Sequence, residues 1–265
     1  MTLLDPAELD DDATAYRLFG FTRDKVSWHA ADVIRSGGHR PGFEHAELAW
    51  RTASRGYYAE QAGLVAAARL ATLTEDAPFR FSLALAAADE ARYADAFYQY
   101  AKARGGEPED CQELLEPLDS ALTALPHLGR ALVHTMLEGF AADEFLIFQQ
   151  VFAGDALADL YHYVRRDENH HVAIGLSYLA RASRTDEARE QWDAHGGEWH
   201  AIGCGLTFLD PVCVSLGGLT GRDPADLKAW FLRRHTDRLK AAGLGSRWEF
   251  SAGFRREHSE GGAQE

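Results

Sequence analysis

Apolar residues along this chain recur at three- and four-residue intervals through several long stretches, and the strict alternation that marks strands is missing. The pattern predicts a helix over about 24–35, stopped by Ser36-Gly37-Gly38, and a long helix over 44–72 after Arg40-Pro41-Gly42. Thr74-Glu75-Asp76-Ala77-Pro78 closes that helix and opens another, which runs to Arg104 before Gly105-Gly106. A polar connector with Cys111, Pro117 and Pro126 leads to a fourth helix over 129–153. A fifth follows Gly154-Asp155, with Asp155 as its cap, and ends near Ser183. Residues 185–217 read as one or two helices interrupted at Gly196-Gly197 and Pro211. Asp223-Pro224-Ala225-Asp226 opens a last helix reaching Leu239, with Asp at the cap and Pro in the first turn. The reading is all-α. Residues 1–245 form one domain whose acidic first dozen residues are frayed, and 246–265 form a polar, Gly-rich tail.

Each of the four long helices carries a carboxylate on its apolar face. Glu60 shares its face with Ala53, Gly56, Leu64 and Ala67; Glu90 with Leu83, Ala86, Tyr93 and Phe97. Glu138 lies with Ala131, Thr135, Ala142 and Phe145; Glu168 with Tyr161, Val164, Val172 and Gly175. His171 follows Glu168 by three residues, so the two side chains can reach one point. A carboxylate facing a core is costly unless it is paired, and metal is the usual partner of a helical Glu-x-x-His. Glu60 to Glu90 spans thirty residues, as does Glu138 to Glu168, so each pair is expected at equal height in an antiparallel hairpin. Glu47, Asp143 and Glu144 read as solvated, and His162 and His170 as surface residues. Trp28, Tyr57, Tyr58, Tyr98, Tyr161 and Tyr163 could carry electrons, line a pocket or simply fill the core.

Composition narrows the classes. The chain has 265 residues, 46% hydrophobic and 26% charged, ample for a buried core. Eight prolines and few Val/Ile/Thr runs argue against sheets. A net charge of −14 disfavours nucleic acid, because phosphate binding needs basic surface. The three cysteines make neither a disulfide framework nor a metal spacing, which suits reduced thiols in a cytoplasmic protein. No apolar run is long enough to span a bilayer, so no membrane partner is expected.

Glu60, Asp89-Glu90, Leu137-Glu138-Gly139 and Asp167-Glu168-Asn169-His170-His171 together resemble the ligand pattern of ferritin-like dimetal-carboxylate proteins. Within that group the chain is similar to the ribonucleotide reductase small subunit and its oxidase relatives, and the stretch from Trp230 to Leu244 resembles their late helices. The resemblance implies a ferritin-like four-helix bundle core with additional flanking helices. It implies two Fe ions, or Fe with Mn, held by Glu60, Glu90, Glu138, Glu168 and His171, with O2 as co-substrate. Asp89 and Asp167 would accept hydrogen bonds from the imidazole or its equivalent.

Tyr93 departs from the pattern, standing where the family has a second His. It could bind Fe(III) as phenolate, leave one metal short of a ligand, or be oxidised itself; a core Tyr bonded to Asp167 or water is the plain reading. His134, one turn before Glu138, is either an extra ligand or a satisfied core histidine. Ribonucleotide reduction fits poorly, since Phe97 stands where that family's radical tyrosine lies. The expected activity is an O2-dependent oxidase or oxygenase of a small organic substrate, with N-oxygenation or hydroxylation in specialised metabolism as candidate reactions. Ala86, Ala87, Ala141 and Ala142 would leave room for the substrate. An electron donor and a second copy of the chain are further expected partners. A non-catalytic metal- or ligand-binding bundle, or self-oxidation of Tyr93, are the alternatives.

Overall fold

The computed structural model describes residues 28–37, 45–105, 108 and 115–244. The acidic start, the first turn expected for the opening helix and the tail 246–265 lie outside them. Among the described residues there are nine helices and no strand: α1 Ala30–Ser36, α2 Ala46–Leu73, α3 Ala77–Arg104, α4 Leu115–Ala124, α5 His127–Val151, α6 Ala156–Ala182, α7 Asp186–Leu206, α8 Leu209–Thr220 and α9 Pro224–Ala241.

Capping residues set where the long helices begin. Asp76 caps α3 by accepting from the Phe79 backbone N–H at 2.8 Å, and Pro78 occupies the first turn, where its missing N–H costs nothing. Asp155 caps α6 through the Leu157 N–H at 2.9 Å and accepts from Tyr100 Oη at 2.5 Å, tying the start of α6 to the end of α3. The other end of this pair is fastened by Arg181 of α6, which donates to both Asp76 oxygens at 2.8 and 2.7 Å. Asp223 caps α9, as its sequence predicts.

Helices α2 and α3 form one antiparallel hairpin and α5 and α6 another; α3 packs on α6 and α2 on α5, closing a four-helix core. The remaining helices flank it. Helix α1 covers α3 and α6, α4 lies on α2, α7 runs along α5, and α9 joins α8 to α5. Gly175 lets α5 and α6 approach, since a Cβ there would overlap Thr135.

The structure corrects the sequence reading at α4, at α7 and at two acids of α5. The segment read as a polar connector contains α4, whose Leu118 and Leu122 are buried with Leu125 just beyond it; their i, i+4, i+7 spacing outweighs the proline in its first turn. Helix α7 passes unbroken through Gly196-Gly197, because Trp192 and Trp199 anchor both sides in the core, and the break falls instead at Phe208 (φ 49°). Asp143 is buried rather than solvated: it accepts from Arg234 Nε at 2.6 Å and from Arg238 Nη1 and Nη2 at 2.8 and 2.6 Å, clamping α9 onto α5. Glu144 is half-buried, and burial pushes its carboxyl up to about 7. Removing Asp143 leaves two guanidinium groups without their buried acceptor. Asp143→Ala is expected to destabilise the protein by about 3 kcal/mol, at the low end for breaking a buried pair because Arg234 is partly solvated, as chemical denaturation would read.

The core is divided. One apolar cluster includes Ala66, Leu70, Leu83, Leu132, Met136 and Ile174; a second includes Ala53, Tyr93, Phe97, Phe145, Tyr161 and Val164. Along α2, α3 and α6 the sequence passes from one cluster to the other at its carboxylate, whereas on α5 Phe140 and Ile147, beyond Glu138, still pack with the first cluster and Phe145 with the second. The four acids therefore form a polar layer across the bundle with dry packing above and below. The four alanines expected to line a substrate pocket are split by this division: Ala86 and Ala87 pack with the first cluster, Ala141 with the second. Among the described residues no single helix is long and apolar enough to cross a membrane.

Candidate metal centre

Glu90, Glu138, Glu168 and His171 are all buried, and each offers a ligand atom within 4.8 Å of the others'. His171 Nδ1 is the hub, 3.2 Å from Glu90 Oε1, 3.3 Å from Glu138 Oε2 and 3.1 Å from Glu168 Oε2. Glu60 stands just outside this group, buried, beside Glu90. Glu138 and Glu168 likewise stand together, their ligand atoms within 4.8 Å. The equal stride of the two hairpins thus brings each pair of acids to one height. His134 is also buried, with Nε2 3.1 Å from Glu138 Oε1.

Around this group the two aspartates diverge. Asp89 Oδ2 faces His171 Nε2 at 3.6 Å, beyond hydrogen-bonding distance. Asp167 does not meet Tyr93. It accepts from Trp28 Nε1 and Arg92 Nη2, both at 3.0 Å, and from Arg166 Nε at 3.2 Å. Arg92 bridges the aspartates, donating also to Asp89 Oδ1 at 2.6 Å, and lies over the rings of Trp28 and Tyr93 at 4.7 and 4.9 Å. Tyr93 is fully buried between Trp28 and His171, at centroid distances of 6.2 Å from each, and its hydroxyl makes no hydrogen bond.

Burial dominates the electrostatics. It pushes Glu60 up to about 7, and with repulsion among the acids it raises Glu90 and Glu168 well above the ordinary carboxylate range. Burial acts on Glu138 too, but His134, the adjacent Glu168 carboxyl and His171 outweigh it and hold that carboxyl low. Against its own burial, His171 is raised well above the usual imidazole range, first by Glu168. Without a cation the centre therefore neutralises itself by sharing protons among carboxyls and charging one imidazole. Burial lowers His134, and burial next to Glu168 raises Tyr93, which stays a phenol.

Six buried polar atoms here make no hydrogen bond: Glu60 Oε1, Glu90 Oε1, Tyr93 Oη, both nitrogens of His134 and His171 Nε2. Such a concentration of unsatisfied groups is costly unless something joins them. Four carboxylates match the charge of two divalent ions, and mixed carboxylate and imidazole donors suit Fe and Mn. The residues fit a dinuclear metal site.

Sequence reasoning missed Arg92 and Gly63. The signal for Arg92 was its i+3 spacing from Asp89. Gly63 carried none: a Cβ there would stand 2.8 Å from Glu90 Oε2, so glycine makes the room that this carboxylate occupies. Gly63→Val is expected to displace Glu90 and weaken metal binding about 10- to 100-fold with helix content unchanged, measured by metal titration and circular dichroism.

No protein-family profile and no curated protein matches the chain. Solved structures do. A mutant of an R2-like ligand-binding oxidase with an aerobically reconstituted Mn/Fe cofactor superposes with a TM-score of 0.62 at 17% identity, covering 87% of this chain and 94% of that one. A second mutant, with an anaerobically reconstituted Mn/Fe cofactor, gives 0.64 at 16% identity over 90% and 95% of the two chains. A third, with a non-activated Mn/Mn cofactor, gives 0.64 at 18% identity over 87% and 93%. The fold is that of the R2-like ligand-binding oxidases. In this R2-like bundle the acid layer lies across the middle of the four core helices.

Proposed function

We propose that the protein is a non-haem dimetal oxidase or oxygenase holding two Fe ions, or Fe with Mn, in a layer made by Glu60, Glu90, Glu138, Glu168 and His171. One observation carries this reading: unsatisfied acid and imidazole atoms converge in the dry middle of an R2-like bundle. The Mn/Fe cofactors of the structural neighbours support the choice of metals. When bound, the metal pair supplies the electrons that activate O2. The chain's own residues do the rest. The carboxylates provide oxygen donors and negative charge in place of a cation's hydration shell, and the two apolar clusters exclude solvent from the layer. Asp89, with Oδ2 3.6 Å from His171 Nε2, is placed to accept from that ring once it carries a metal. An electron donor is part of the reading, and the rings of Tyr163, Trp28 and Tyr93 follow one another at 5.6 and 6.2 Å from the half-buried Tyr163 inward. The substrate is a small organic molecule, with N-oxygenation or hydroxylation as the reactions to test.

The test is metal analysis combined with O2 uptake. A metal pair per chain, uptake on adding Fe(II), and a new optical band support the reading; a protein that binds neither Fe nor Mn removes it. A second reading has its own support, since the Tyr93 hydroxyl is buried and unbonded beside Glu168. Self-oxidation of that ring would appear as a gain of one oxygen atom on the peptide containing Tyr93.

A further inference from the structure

We propose that His134 is a metal ligand, so that both imidazoles of the centre come from the α5–α6 hairpin: His171 from α6 and His134 from α5. The proposal rests on the dimetal reading above. His134 lies one turn before Glu138, so the two share a face of α5, and it is 2% exposed. Its Nε2 stands 3.1 Å from Glu138 Oε1, yet the oxygen lies off the hydrogen-bonding direction of the ring and no hydrogen bond forms. That is the relation of two donors to a common ion. Each would sit ~2.1 Å from the ion, roughly at right angles to the other, which leaves the donors about 3 Å apart and aimed at the ion rather than at each other. The same relation recurs where His171 Nδ1 stands 3.2 Å from Glu90 Oε1, an oxygen that also makes no hydrogen bond.

His127 also has both ring nitrogens without a hydrogen bond, but it packs half-buried against Phe79 and Tyr178, whereas His134 is fully buried and faces a carboxylate of the acid layer. Neither nitrogen of His134 is satisfied. The α3 side of the layer explains why a donor is wanted. There Tyr93 offers only oxygen, and Asp167, placed to steady a ring at that position, is instead taken by Trp28 and Arg92. With His134 the centre has four carboxylates and two imidazoles, distributed unequally between its hairpins: oxygen donors alone from α2–α3, nitrogen and oxygen from α5–α6.

The test uses full-length protein stripped of metal and titrated anaerobically with Co(II), read by its visible absorption. Wild type is expected to bind a pair of ions. His134→Ala and His134→Gln are both expected to bind at least one of them more than about 100-fold more weakly, with an altered visible band. The glutamine variant can still donate an N–H towards Glu138. Binding restored to the wild-type level in His134→Gln would make His134 a positioning residue and overturn the proposal, as would unchanged binding in His134→Ala. Wild type that binds no Co(II) removes the dimetal reading itself. Wild type that binds a pair while the variants match it removes only the role of His134. Should the variants misfold, wild type loaded with Mn(II) after 15N-histidine labelling decides the matter by pulsed EPR. Couplings from two inequivalent histidine nitrogens are expected, and couplings from one alone overturn the proposal.

Discussion

Glu168→Leu is expected to abolish binding of the metal pair and, at the same time, to make the metal-free protein more stable. Glu168 belongs to a layer of four buried acids whose charges oppose one another, and its own carboxyl is raised well above the ordinary range by burial and then by Glu138. Replacing it with an apolar side chain of similar volume removes that conflict. Substitutions of this kind are worth about 1–3 kcal/mol, a gain of roughly 2–10 °C in Tm for a chain of this size. The same change removes a ligand that no neighbour can replace. Metal affinity should fall more than about 100-fold, and the rise in Tm that Fe(II) or Mn(II) produces in wild type should vanish. His171→Ala separates function from stability differently. It also loses metal, but it takes away the imidazolium that Glu90, Glu138 and Glu168 surround, so the metal-free variant should be less stable than wild type. Differential scanning calorimetry with and without metal reads both outcomes. A metal-free Glu168→Leu protein that melts well below wild type would mean that the acid layer serves packing rather than ligand binding.

The second large effect is on pH. In the metal-free protein Glu60 is pushed up to about 7 from 4.5, and Glu90 and Glu168 are raised further. A carboxyl raised in the folded state binds more protons there than in the unfolded chain. Its contribution is fully present below the unfolded value and is lost as pH rises through the folded one. Metal-free protein should therefore melt highest near pH 5 and lose stability towards pH 8. The Glu60 shift alone corresponds to something on the order of 3 kcal/mol, or roughly 10 °C. Metal reverses this. Binding displaces the protons, so affinity rises with pH over the same interval, and the loaded protein should keep its Tm at pH 8. Calorimetry across pH 5 to 8 with and without Mn(II) checks the sign. A metal-free Tm that climbs through this range would show the acids to be ionised and paired already.

The two results share a physical origin. The centre stores unfavourable electrostatics in the empty state, and a cation relieves it. Fold stability elsewhere compensates, through helices fastened at their ends by Asp76 with Arg181 and Asp155 with Tyr100.

Local sequence patterns determined most of this arrangement. Helical periodicity marked the long helices, the capping aspartates marked two of their starts, and one acid on each apolar face marked the layer. Those signals are legible because they depend on residues three to seven apart on one helix. The thirty-residue stride went further, predicting that Glu60 meets Glu90 and Glu138 meets Glu168, since a hairpin of equal arms turns sequence distance into height. What lay between separate helices was decided only by tertiary packing. Asp143 reads as a surface residue until α9 brings Arg234 and Arg238 against it, and Gly196-Gly197 reads as a break until Trp192 and Trp199 are seated in the core. Asp167 reads as a partner for position 93, but the approach to α1 places Trp28 there, and Trp28 and Arg92 both donate to its Oδ2 while Arg166 donates to Oδ1. Gly63 has no signature at all, because its role is the space it leaves for a side chain on another helix. Residue types and spacing could thus point to the buried acids and His171 that come together, while the orphaned nitrogens of His134 and the open hydroxyl of Tyr93 emerged only once four helices had closed around them.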